Sequence, residues 1–136
     1  LAWLLKGTLH AFQGNGRHAV AYTSRARALS PLDPYHYFFD SLSATAHLAN
    51  HDYETALDLA ERSLRSNRRH TSTLRVKTIA LHYLDRGDEA RTAAKQLLNL
   101  DPGLTVEGYL KNHPAAAFQT GRDWSAALKD SGIPLN

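Results

Sequence analysis

The spacing of three alanines constrains the fold of this chain more than any other feature. Ala56 and Ala90 each open an amphipathic run after a polar turn, and they are 34 residues apart. Ala19 stands in the same position 37 residues before Ala56, and the three extra residues fall in the linker 31–34, where insertion costs least. Helix pairs of this length cannot bury their apolar faces alone, so they stack on one another. The period therefore predicts an all-α solenoid.

The apolar pattern predicts three antiparallel helix pairs, because no stretch alternates with the period of a β-strand. The predicted pairs are 2–13 with 17–29, 35–49 with 53–66, and 72–84 with 89–100. We assign 1–102 to three repeats (about 1–34, 35–69 and 70–102) and 103–136 to a C-terminal helical cap. Further helices are expected at about 104–111 and 122–129. A solenoid needs an end element that covers its core, so Trp124, Ala127 and Leu128 are expected to face inward.

Small and aromatic residues at fixed distances in these pairs resemble the tetratricopeptide repeat (TPR) family. The first repeat departs from that family's pattern at Lys6, His10 and Thr23, and the second lacks the closing proline. The matching positions, which we expect to pack the repeats together, are Trp3, Gly7, Ala19, Ala26, Pro31, Ala44, Ala56, Ala90 and Pro102.

The resemblance also implies that the first helix of each pair lines a concave groove that binds a protein or peptide. Leu4 and Thr8 replace the first polar pair with which some family members clamp a carboxyl terminus, so that mode is not expected here. We expect an apolar helix or extended segment instead, with Arg75 contacting an acidic group; residues 104–136 or a second copy of the chain are the alternative occupants. The predicted groove residues are Leu4, Thr8, Ala11, Phe12, Phe38, Ser41, Thr45, Leu48, Arg75, Ile79, His82 and Tyr83.

The tail is similar to the C-terminal end of the repeat regions of bacterial class III adenylate cyclases and winged-helix transcriptional regulators. The similar segments are 100–106 and 131–134. The resemblance implies the regulatory or oligomerisation part of a larger bacterial signalling protein, acting on its own upstream domain and forming a homodimer. The chain has no methionine and begins within a helical pattern, so we expect it to be the C-terminal piece of that protein. A passive scaffold or adaptor is the alternative.

Several kinds of chemistry are not expected from this composition. The absence of cysteine excludes disulfides, thiolate metal sites and thiol catalysis, and no motif for a nucleophile, a phosphate loop or an acid pair stands in a credible context. His47 and His51 have the spacing of a zinc-protease helix, but Leu48 stands where the general base belongs. We therefore expect no enzyme activity, no cofactor and no metal, and without a membrane-length apolar run we expect a cytoplasmic location.

A cluster of arginines between Arg62 and Arg69 offers a third class of function, binding of nucleic acid or another polyanion. The net charge of +3 is too small to imply such a partner by itself. Asp58 lies four residues before Arg62, and Glu61 four before Arg65, so ordinary surface pairs along one helix are the favoured interpretation.

Overall fold

The computed structural model describes residues 2–29 and 36–136, without the side chains of 2–5, 7, 26–29, 36 and 38. Within these ranges the chain forms eight α-helices and one 3₁₀ turn, and no β-strand. The α-helices are α1 (Ala2–Phe12), α2 (Gly16–Leu29), α3 (His36–Ala49), α4 (Tyr53–Ser66), α5 (Thr71–Tyr83), α6 (Gly87–Leu100), α7 (Val106–Asn112) and α8 (Gln119–Asp130). The 3₁₀ turn is Pro114–Ala117.

The first six helices stack as three pairs. In one layer, α3 contacts both α1 and α5; behind it, α2 packs against α1 and α3, and α4 packs against α3 and α5. A cluster of buried apolar side chains runs from Ala11 in α1 to Ile133 after α8. This arrangement confirms the expected all-α solenoid of helix pairs.

The turn inside each pair has the same backbone conformation in all three repeats. Gly14, His51 and Asp85 adopt φ values of +83°, +62° and +60°. In each case the N–H of the next residue donates to a carbonyl five residues earlier, at 2.7, 2.9 and 3.0 Å. A left-handed residue followed by such a bond ends a helix and reverses the chain. The turns are therefore spaced like the alanines that define the period.

Small residues hold the helices at short range. Ala19, Ala44 and Ala56 are 0% exposed, and Ala90 is 1% exposed. A Cβ atom added to Gly16 would lie 2.3 Å from the Cα of Asn50, so only glycine lets α2 approach the end of α3 this closely. A larger side chain at any of these positions would push the layers apart.

Of the other residues predicted to pack the repeats, Pro102 is at the surface, and the rest lie wholly or partly outside the described part of the chain. Pro102 is exposed just after the end of α6, where proline cannot continue a helix. Pro31 lies outside the described residues. Trp3, Gly7 and Ala26 belong to described helices, but their side-chain positions lie outside the described part of the chain.

The C-terminal segment folds back onto the solenoid as α7, the 3₁₀ turn and α8. Trp124, Ala127 and Leu128 are at most 6% exposed, which confirms that they face inward. α8 packs on α5, and its N-terminal part lies so close to the 3₁₀ turn that a Cβ on Gly121 would meet the Ala115 carbonyl at 2.2 Å.

Local hydrogen bonds set the limits of the elements of the cap. α7 starts two residues later than predicted because the Thr105 hydroxyl accepts from the Gly108 N–H at 3.0 Å and caps it. The segment after α8 runs beside this start, where the Val106 N–H donates to the Pro134 carbonyl at 2.8 Å and the Glu107 N–H to the Leu135 carbonyl at 3.0 Å. The last residues of the chain therefore hydrogen-bond to the start of α7 within the cap.

An ion pair links α3 to α4 inside the second repeat. Arg62 donates from Nε and Nη2 to the two carboxylate oxygens of Asp40, at 3.0 and 2.8 Å. Asp40 is 0% exposed, whereas the side chain of Arg62 is 45% exposed. The hydrogen bond that Arg62 donates to Asp40 raises the pKa of Arg62. The surface pairs expected from Asp58 to Arg62 and from Glu61 to Arg65 are both absent from the ion pairs of the described residues. For Arg62 the reason is that a bidentate contact with a buried carboxylate is stronger than an exposed pair along one helix.

Replacing Ala56 by Phe is expected to lower the free energy of unfolding by about 1–3 kcal/mol, because the new ring has no space between the layers. Thr55→Phe is the matched control, since Thr55 is exposed one residue earlier. Urea denaturation followed by circular dichroism measures both. Equal midpoints for the two variants would contradict the assigned helix contact.

Arg62→Met is expected to lower the free energy of unfolding by about 1–3 kcal/mol, because two charge-assisted hydrogen bonds to a fully buried carboxylate are lost. Arg65→Met removes an exposed arginine one turn later and serves as the control, with an expected change within about 0.5 kcal/mol. Chemical denaturation gives both values. A control as destabilised as Arg62→Met would show that the ion pair is not the cause.

Candidate functional site

The cap covers the helix layer that was expected to form an open groove. A small inner cavity of about 100 Å³ remains between them. Leu48 and Ile79 line it and are 1% and 2% exposed, so they form part of a closed core. From the predicted groove, the inner cavity is lined by Phe12, Ser41, Thr45, Leu48, Arg75 and Ile79. The sequence did not predict its other lining residues, which are Leu42, His70, Ser72, Val76, Tyr109, His113 and Trp124.

The remaining predicted groove residues lie around this cavity or beyond it. Ala11 is fully buried and Thr8 is half-buried. His82 Nε2 lies 3.9 Å from an Asp130 carboxylate oxygen of α8. The Tyr83 ring stacks on Tyr53 at 4.8 Å, and its hydroxyl donates to the Asp123 carbonyl at 3.4 Å. The side chains of Leu4 and Phe38 lie outside the described part of the chain.

A second, more open cavity of about 350 Å³ lies where the third helix pair meets the cap. We call it the junction cavity. Arg75, Tyr109 and His113 line both this cavity and the inner one, so they form the wall between them. The full lining of the junction cavity is Arg75, Asp101, Gly103, Leu104, Thr105, Gly108, Tyr109, Asn112, His113 and Pro114.

Arg75 is the cation of the junction cavity. Its Nη2 donates to the Ser72 hydroxyl at 3.1 Å, and its guanidinium carbon lies 5.9 Å from the centre of the Tyr109 ring. Among the described residues it makes no ion pair with a carboxylate, although Asp101 lines the same cavity. Burial lowers the pKa of Arg75, and the charge of Asp101 acts in the opposite direction. Burial of the Arg75 guanidinium therefore costs solvation free energy. Most of its five N–H groups donate no hydrogen bond to the described residues.

The two aromatic groups beside Arg75 are held in their neutral forms. Burial raises the pKa of Tyr109 to about 12. Burial, followed by the charge of Arg75, lowers the pKa of His113 to about 4. The two rings stack at 4.6 Å, and the rings of His113 and Phe12 form a T-shaped pair with their centres 5.0 Å apart. Because His113 Nδ1 accepts from the Ala115 N–H at 3.1 Å, its proton lies on Nε2, which is a donor.

Part of the junction cavity was detectable in the sequence. Tyr109 and His113 stand four residues apart, which places them on one face of a helix and its cap. Nothing in that spacing indicates that this face meets Arg75, because the contact joins residues more than 30 positions apart. Trp124 was predicted to be buried, but its position in the wall of the inner cavity was not.

The other candidate sites of the sequence are separated by the fold. His47 lies 3.2 Å from Asp52, while His51 contacts the Tyr53 hydroxyl at 2.7 Å, so the two histidines have different partners. In the ranges 2–29 and 36–136, no group of three histidine, aspartate or glutamate side chains could hold a metal ion. No helix within the same ranges has the length and apolar character needed to cross a membrane. Arg62 is bound to Asp40, which leaves Arg65, Arg68 and Arg69 from the arginine cluster.

Lowering the pH from 6.5 to 4 is expected to reduce stability partly through His113. The unfolded state binds a proton at His113 below about pH 6.5, and the folded state does so only near pH 4, so unfolding takes up a proton in this window. His113→Asn keeps an acceptor for the Ala115 N–H and should make the melting temperature less sensitive to pH between 6.5 and 4.

The control variant is His18→Asn, which makes the same substitution at an exposed position of α2. Thermal melts at pH 7.0, 6.0, 5.0 and 4.5 compare the three proteins. If the three curves have the same slope, His113 is not a group whose titration destabilises the fold.

One comparison with solved structures bears on the fold. The chain is similar to the NMR structure of the first TPR domain of the human RPAP3 protein, with a TM-score of 0.65 and 21% sequence identity. The match covers 96% of this chain and 93% of that one. No protein-family model matches the sequence, and no curated protein matches it. The similarity adds no support for a cyclase-like or regulator-like tail. It does show that the helix pairs of this chain have the fold of a TPR domain.

Proposed function

We propose that this chain is a non-catalytic protein-interaction module that binds a partner segment at the junction cavity. The repeats (1–102) supply Arg75, and the cap (103–136) supplies the facing wall. The observation that carries the proposal is the half-buried Arg75 guanidinium, which lines a cavity without a carboxylate bound to it among the described residues. The partner segment would present one carboxylate to Arg75 and an apolar side chain beside it.

The chemistry of Arg75 supports a carboxylate as the recognised group. A guanidinium has five N–H donors in a planar fork that fits a carboxylate through two parallel hydrogen bonds. Among the residues that the structure describes, Arg75 forms one hydrogen bond, to Ser72. Asp101 lines the same cavity and offsets the charge of Arg75, so a single carboxylate is favoured over a phosphate or another multiply charged anion.

Three further donors line the cavity. The Nε2–H of His113 is unused by the Ala115 contact, and the Asn112 amide donates one hydrogen to the Gly108 carbonyl and retains a second. The Thr105 hydroxyl accepts from Gly108 and keeps its own hydrogen. Leu104 and the ring of Tyr109 supply apolar surface. A volume of about 350 Å³ is at the lower end for ligand pockets, which suits one or two side chains and not a whole helix.

The proposed role of this module within a larger protein is inferred from the sequence of the tail. Its similarity to cyclase and regulator tails supports a regulatory or oligomerising module of a larger bacterial signalling protein, in which the partner segment belongs to an upstream domain or to a second copy. Only the tail sequence supports this part. Sequencing the native gene would test it, and a cyclase or winged-helix domain encoded upstream is the expected result. A passive scaffold is the competing function, and it predicts no saturable ligand.

The junction cavity is tested with labelled eight-residue peptides that carry one Glu beside one Leu in a Gly/Ser background, titrated by fluorescence anisotropy. Saturable binding is expected, and Arg75→Gln should weaken it about ten-fold or more, because the carboxylate loses a charge-assisted bidentate partner. A Gln peptide should bind the wild-type chain as weakly as the Glu peptide binds the variant.

The control variant is Arg122→Gln, which removes an exposed arginine of α8 outside the cavity. Circular dichroism establishes that both variants are folded. The proposal fails if no peptide binds saturably, which is the scaffold result, or if the two arginine variants weaken binding equally.

A further inference from the structure

A groove with an apolar floor and cationic sides lies on α4, α5 and α6, apart from the junction cavity. It consists of two adjoining depressions of about 500 and 350 Å³ that share Leu64, Arg68 and Lys77. We call it the outer groove. No residue of its lining also lines the junction cavity or the inner cavity. Its apolar residues are Leu64, Leu74 and Leu100, and its cations are Arg65, Arg68 and Lys77.

The helix packing explains why a groove exists here. α5 contacts both α4 and α6, so the last turns of those two helices stand on either side of it. Leu74 of α5 is 3% exposed, whereas Leu64 of α4 and Leu100 of α6 are half-buried. A row of aliphatic side chains is thus left between the helix ends, partly accessible to a side chain from outside.

The charges around this floor are largely uncompensated. Arg65, Arg68 and Lys77 form no ion pair with any carboxylate of the described residues, and Glu61 is the one carboxylate in the lining. Neighbouring arginines differ: Arg62 is bound to Asp40, and Arg86 to Glu89. An excess of two positive charges therefore faces whatever enters the outer groove.

We propose that the outer groove binds an acidic segment of a partner protein that carries an aliphatic side chain between two or more carboxylates. The aliphatic group would contact Leu64, Leu74 and Leu100, while the carboxylates pair with Arg68 and Lys77. Two features favour a protein segment over a nucleic acid. Three cations are few for a backbone with one charge per nucleotide, and no aromatic side chain among the described lining residues could stack on a base.

The test uses three fluorescent probes with the 136-residue chain. The first is a twelve-residue peptide of alternating Glu and Leu pairs, the second has Ser in place of every Leu, and the third is the single-stranded oligonucleotide dT12. The first probe should bind about ten-fold more tightly than the second, and its affinity should fall between about 50 and 300 mM NaCl, because exposed ion pairs are screened by salt. dT12 should bind no better than the second probe.

Charge reversal locates the site. Arg68→Glu with Lys77→Glu should weaken the first probe about ten-fold or more. The matched double variant Arg122→Glu with Lys129→Glu makes the same change in net charge at two exposed positions of α8 and should have an effect of less than about two-fold. These titrations are made in the Arg75→Gln background, because the Glu/Leu peptide also carries the motif proposed for the junction cavity; binding that remains there and is lost on charge reversal belongs to the outer groove, whose lining does not include Arg75. Circular dichroism confirms that each variant is folded.

Three results would overturn the proposal. Equal weakening of the first probe by the two double variants would show that binding depends on net charge and not on the outer groove. Binding of dT12 as tight as that of the first probe, lost in the outer-groove variant, would make this a nucleic-acid surface. Failure of all three probes to bind would remove the site.

Discussion

The close approach of helices at small side chains is the constraint on which the rest of this structure depends. Ala19, Ala56 and Ala90 are at most 1% exposed at equivalent places, and Gly16 meets the backbone of α3 directly. At such short range, a change of one methyl group moves a whole helix, because interiors are close-packed. The distance between layers fixes which side chains of α1, α3 and α5 reach the face that the cap covers. It also fixes the gap between the ends of α4 and α6. The junction cavity and the outer groove therefore both depend on how closely the helices of the repeats pack.

Periodic features of the sequence predicted the helices well. The contacts between residues that are distant in the sequence could not be predicted from it. The period and the polar turns placed the limits of six helices to within two residues, and the spacing of Trp124, Ala127 and Leu128 indicated the inward face of α8. Local spacing does not tell which surface a returning helix will cover, so the packing of the cap on the groove layer was left open. Arg62 illustrates the same limit. Four-residue spacing favoured Asp58, but Asp40, 22 residues away, offers a buried carboxylate with two acceptors.

The two cationic sites differ in ways that matter for their partners. Arg75 is half-buried and faces Asp101, so its cavity is close to neutral and selects by geometry. Arg68 is exposed, and with Arg65 and Lys77 it gives the outer groove a net positive charge. Attraction in the outer groove is long-ranged and weakened by salt, whereas a contact at Arg75 is short-ranged and less sensitive to salt. A partner that bound both sites would be attracted over a long range by the outer groove and selected by its short-range contact with Arg75.

The position of the cap has a consequence for any ligand of the concave layer. Such a ligand competes with Trp124 and its neighbours for the surface around Leu48 and Ile79. Its apparent dissociation constant is the intrinsic value divided by the fraction of molecules whose cap is detached. If detachment costs about 4 kcal/mol, that fraction is about one in a thousand, and an intrinsic micromolar affinity is measured as millimolar. Mutations that loosen the cap would then tighten such binding without touching the ligand.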